Sequence, residues 1–108
     1  MLHITFSSDF HESSFEILEN IAFWYRKTCP PIEIRKGFTA ARDKAARFVQ
    51  EYPDFGRGVP DGRVFSFEYK SRTYVVLYNV EDDEIILRDI ADGRSRKASK
   101  WLEGLEDL

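Results

Sequence analysis

Six residues, Ile34, Phe38, Ala41, Ala45, Phe48 and Tyr52, follow one another at steps of four, three, four, three and four. With 3.6 residues per turn, those steps put all six on one stripe of a helix, while Arg35, Arg42, Lys44 and Arg47 fall off it. The spacing therefore predicts an amphipathic helix that needs a second layer to cover its stripe. Gly37 inside it costs about 1 kcal/mol relative to alanine, which so regular a stripe tolerates. Pro53 ends the helix, because proline lacks an N–H and biases its predecessor away from helical dihedrals.

The flanking segments supply the other layer. Residues 2–7, LHITFS, alternate as a short strand with Leu2, Ile4 and Phe6 on one face. Ser8 and Asp9 offer N-cap oxygens, and Phe10, Ile17, Leu18, Ile21, Trp24 and Tyr25 then recur at helical spacing, predicting a helix over 9–27. Cys29-Pro30-Pro31 stops it, and so short a link implies an antiparallel helical hairpin. Residues 53–62, PDFGRGVPDG, read as a turn-rich connection. Three strands follow, RVFSFEY, TYVVLYNV and EIILRDI, separated by breaks of hairpin length at Lys70-Ser71-Arg72 and Glu81-Asp82-Asp83. Asp92-Gly93 closes the sheet, and Ala98, Trp101, Leu102 and Leu105 predict a short amphipathic C-terminal helix. The expected fold is α+β: N-terminal strand, helical hairpin, three-stranded antiparallel meander and short C-terminal helix.

At 108 residues, with no internal repeat or linker, the chain reads as one domain over 1–108. Nine Phe, five Tyr and two Trp give it bulky side chains with which to close a core. There is no apolar run of bilayer length and no secretory signal pattern. The single Cys29 cannot form an internal disulfide, so a cytoplasmic location is expected. A formal charge of −3 and a pI near 5.4 argue against tight nonspecific nucleic-acid binding by the whole surface. The charge is unevenly placed, however. Residues 93–100, GRSRKASK, carry four basic side chains and no acid, and 32–52 carry five basic against three acidic residues.

Metal and cofactor chemistry finds no support in the spacing. His3 and His11 lie on different elements, Cys29 has no adjacent His motif, and Glu81-Asp82-Asp83-Glu84 lacks the ligand ladder of a calcium loop. The glycines of GRG (56–58) and DGR (92–94) are too isolated to cradle a phosphate. No metal and no cofactor are expected.

In their order along the chain, three segments resemble the RelE/ParE superfamily of type II toxin-antitoxin toxins, closer to ParE. EYPDFGRG (51–58) is similar to the family's E-x-P-x-x-G turn between helices and sheet. The stretch from Arg63 to Val80 resembles its paired strands, and DDEIILRDIADGRSR (82–96) its last strand and exit, with Asp92 where the family often has His. The resemblance spans nearly the whole chain in the order β, α, α, β, β, β. It implies a toxin of the kind that stabilises plasmids, held inactive by a cognate antitoxin whose extended or helical tail wraps the helices and sheet. ParE-like members act on DNA gyrase without being enzymes, whereas RelE-like members cut messenger RNA in the ribosome.

Site residues divide along the same line. Arg94, Arg96, Lys97 and Lys100, with Trp101 beside them, are the candidates for binding a target protein. They read equally as the solvated end of the domain, with Trp101 packed back on the sheet. Under the nuclease alternative, Arg72, Arg88 and Arg94 surround the scissile phosphate, with Lys70 nearby, and RNA and the ribosome become partners. The third alternative is a degenerate binding module of the same fold.

Overall fold

The computed structural model describes residues 2–103. Leu105 of the expected tail helix lies outside them. Within them the chain is α+β, with three helices and a five-stranded mixed sheet. Strand β1 (His3–Phe6) leads into α1 (Ser8–Trp24) and α2 (Pro31–Glu51). Four strands follow, β2 (Arg57–Val59), β3 (Gly62–Tyr69), β4 (Arg72–Glu81) and β5 (Glu84–Asp92), and α3 (Arg96–Leu102) ends the series.

The sheet order is β1-β5-β4-β3-β2. The pairs β2–β3, β3–β4 and β4–β5 are antiparallel, but β1 lies parallel to β5 with Ile4 opposite Ile85 and Phe6 opposite Leu87. The sheet is therefore mixed, with the N-terminal strand on one edge of the expected three-stranded meander and one further strand on the other. Its extra edge strand is β2, inside the segment read as pure connection. Arg57 and Val59 reach back to Val64 and Gly62 because Pro60-Asp61 folds that segment onto β3.

Alternation along the strands divides the sheet's two faces. Phe65, Phe67, Tyr74, Val76, Tyr78, Ile85, Leu87 and Ile90 face the helical pair and build the main core with Phe10, Ile21, Ile34 and Phe38. Val64, Val75, Leu77 and Ala91 face the other way, where Ala98 and Trp101 of α3 cover them.

Both helices depart from their expected stripes. Helix α1 is capped by Ser7, whose Oγ accepts from the Phe10 N–H at 3.1 Å, and it stops at Trp24 with turns following it. Trp24 is 71% exposed, so the ring expected in the core stands in solvent. In α2, Ile34 and Phe38 are buried as the stripe requires. Towards its C-terminus Ala46 and Val49 fill the core instead, and Phe48 and Tyr52 are exposed. The cause is the strand beneath. This half of α2 leans toward β1, where Gln50 Nε2 donates to the Leu2 carbonyl, and its old stripe looks past the edge of β3.

The EYPDFGRG segment is fastened by one buried phenol. The Tyr78 hydroxyl donates to the Pro53 carbonyl at 2.8 Å and accepts from the Gly56 N–H at 3.0 Å. Gly56 has no room for a side chain, because a Cβ there would run into the Tyr78 ring. Gly37 is similar: a Cβ would come within 2.7 Å of Tyr69, so the helix gives up propensity for close packing on the sheet.

Candidate functional site

The basic residues predicted as a cluster sort into tied and free. Ser95 caps α3, its Oγ accepting from the Ala98 N–H at 3.2 Å. That starts the helix with Arg96 and Lys97 in its first turn and no acid there. A helix N-terminus carries partial positive charge and favours acids, so this arrangement costs local stability. Lys97 offsets some of the cost. Its ammonium lies 3.1 Å from Asp89 Oδ1 and 2.9 Å from Ser13 Oγ, pinning α3 to β5 and α1. Arg96 and Lys100 are exposed and make no ion pair among the described residues. Trp101 is only 7% exposed and packs with Val64, Val75, Leu77 and Ala91, so it holds α3 on the sheet rather than standing out as an anchor.

Beside α3 the back of the sheet opens into a cleft of about 800 Å³. Arg57, Arg72 and Arg94 line it, with hydroxyls from Ser66, Ser71 and Thr73. Asp92 restrains two of these arginines. Its carboxylate pairs with Arg72 at 3.1 Å, accepts the Arg94 N–H at 2.9 Å and lies 4.0 Å from the Arg94 guanidinium. One carboxylate thus holds the two cations at the mouth of the strands.

The three arginines of the nuclease alternative do not meet. Arg88 sits in a bulge of β5, where Leu77 pairs with Asp89 and Tyr78 with Leu87, and donates to Asn79 Oδ1 at 2.9 Å. Asn79 is seven positions along β4 from Arg72, roughly 20 Å of strand. Arg57 takes Arg88's place in the cleft, and sequence reasoning missed it because it lay in a segment read as loop. Nor do the tyrosines of the sheet supply a base. Burial is the largest cause raising the Tyr69, Tyr74 and Tyr78 hydroxyls above the ordinary value of 10.0, which keeps them protonated at neutral pH.

A second surface was not foreseen. Phe48, Tyr52 and Phe55 form an exposed aromatic group, with the Phe48 ring 5.0 Å from Tyr52 and 4.7 Å from Phe55. Phe48 and Phe55 border a groove of about 490 Å³ between α2 and β3, edged by Lys44 and Glu68. Strand β2 pairs only as far as Val64, so β3 from Phe65 to Tyr69 has an open edge along this groove. The stripe steps of four and three had pointed to Phe48 and Tyr52, but as core, whereas Phe55 lay in the segment read as connection.

Among the described residues no group of His, Cys, Asp and Glu is arranged to hold a metal ion, and no helix is long and apolar enough to cross a membrane. Comparison with family models, curated proteins and solved structures gives no match.

Proposed function

We propose that this chain is a ParE-like toxin of a type II toxin-antitoxin module, acting by binding a target protein and not as an enzyme. The observation that carries the choice is the arrangement of the cations. Arg72 and Arg94 lean on Asp92 while Arg88 is held by Asn79, so the expected set of Arg72, Arg88 and Arg94 does not gather around one phosphate. Arg96 and Lys100, with the Arg94 side chain 73% exposed, instead offer an electropositive face on the last helix. Exposed charges of one sign steer and select a partner surface of the other. The RelE/ParE fold is part of this proposal. It is supported by the ordered resemblance from EYPDFGRG through DGRSR, together with a helical pair on one face of a sheet whose last strand ends at that basic segment. DNA gyrase is the target that the ParE resemblance implies.

The cognate antitoxin is proposed to cover the groove between α2 and β3. Exposed aromatic rings beside an open strand edge suit an extended segment that orders on binding. The test is strong, verified expression of soluble protein, alone and together with the neighbouring small open reading frame. Growth arrest relieved by the neighbour is expected, and unimpaired growth overturns the toxin reading. Translation extracts separate the mechanisms: gyrase-linked DNA damage without codon-positioned message cleavage is expected, and such cleavage would establish the RelE-like alternative.

A further inference from the structure

On the helix-covered side of the sheet, a concavity of about 490 Å³ lies between the last turns of α1 and the β3–β4 hairpin. It is separate from the aromatic groove and from the basic α3 face. Its volume falls in the range of about 300–1,000 Å³ usual for small-molecule sites. Three rings border it. Trp24 is 71% exposed, Tyr25 is half-buried, and Tyr74 is 2% exposed. The Tyr74 hydroxyl makes no hydrogen bond among the described residues, and its oxygen keeps solvent access although the ring is buried. With burial keeping it protonated, it is a donor and acceptor awaiting a partner.

The hairpin brings cations to the same place. Lys70 and Ser71 adopt left-handed backbone conformations, with φ of 52° and 63°. Such positions favour Asn or Gly, and non-glycine residues held there are strained. The turn carries the Lys70 ammonium to 5.0 Å from the Tyr25 ring centroid and leaves it without an ion pair among the described residues. Arg72 stands next to it, oriented by Asp92. Asn20 of α1 completes the lining with an amide that both donates and accepts.

We propose that this pocket binds a nucleotide. The base stacks on Trp24 beside Tyr25, the phosphate sits on Lys70 and Arg72, and Asn20 and Tyr74 read the base edge. A plain aromatic acid would satisfy the rings and the cations but leave the amide and phenol without partners. A base edge, with its donors and acceptors side by side, satisfies them all. A single base stacks on few rings here, so a single nucleotide binds modestly.

The inference is independent of the toxin reading and is read by binding, not by growth. The full chain is titrated by calorimetry with AMP, CMP, GMP, UMP and adenosine. Saturable binding of the nucleotides is expected, with adenosine about tenfold weaker than AMP because it lacks the phosphate. Trp24→Ala and Lys70→Ala lie at exposed positions and each weaken binding about tenfold, and Tyr74→Phe weakens it while keeping the buried ring. A dinucleotide distinguishes sources: affinity equal to AMP assigns a free nucleotide, and tighter binding assigns the end of a single strand. No saturation by any nucleotide into the millimolar range overturns the proposal, and so does affinity unchanged in both Trp24→Ala and Lys70→Ala.

Discussion

Single residues here are legible in the sequence only as types, and their partners come from the fold. Tyr78 reads as one more apolar position of a central strand, yet its hydroxyl joins the Pro53 and Gly56 backbone to the core. Removing only that oxygen in Tyr78→Phe leaves a buried N–H and carbonyl unpaired, and is expected to cost about 1–3 kcal/mol in urea unfolding without changing the fold. Asp92 is similar. The sequence shows an acid after the last strand, but only register places it opposite Tyr74 and within reach of Arg72. Because such pairings join residues far apart in the chain, neither spacing nor composition reveals which arginines are held and which are free.

At the scale of elements, local chemistry was readable and orientation was not. The three long strands and both helices follow from alternation, 3.6-residue periodicity and proline, and each lies close to where those signals put it. The stripe of α2 failed at Phe48 and Tyr52, since periodicity gives a helix's apolar arc but not where the supporting strand ends. Strand β2 was missed because three residues between Gly and Pro carry no alternation to read. Hairpin chemistry yields a prediction of its own. Ser71, at φ 63°, gains from glycine, which reaches that region without a Cβ penalty. Ser71→Gly is expected to raise stability by about 0.4–1 kcal/mol, seen as a higher thermal midpoint, and a lower midpoint would contradict a strained turn.

For the whole molecule, the α+β class was legible, while the mixed sheet was not, because β1 and β5 pair across almost the full length of the chain. Net charge was a poor guide to the site. An overall −3 coexists with an electropositive last helix, since charges average in composition and separate in space. The buried tyrosines set a global pH dependence. Their hydroxyls titrate above the ordinary 10.0 in the folded chain, so the unfolded chain releases those protons first. Their contribution is complete below about pH 10 and is lost as pH rises through the raised folded values. Urea midpoints are expected to fall above pH 10, less steeply in Tyr78→Phe. A flat profile through that window would contradict buried, protonated tyrosines.

The central claim, a toxin acting through the basic face of its last helix, is tested most directly by growth under induced expression. Wild-type chain is compared with the charge-reversed variant Arg94→Glu, Arg96→Glu, Lys100→Glu, whose exposed positions leave the core intact. Arrest by the wild type and recovery with the variant, at equal soluble protein and similar thermal midpoints, is the predicted result. Unimpaired growth with the wild type, or equal arrest by both, would contradict it.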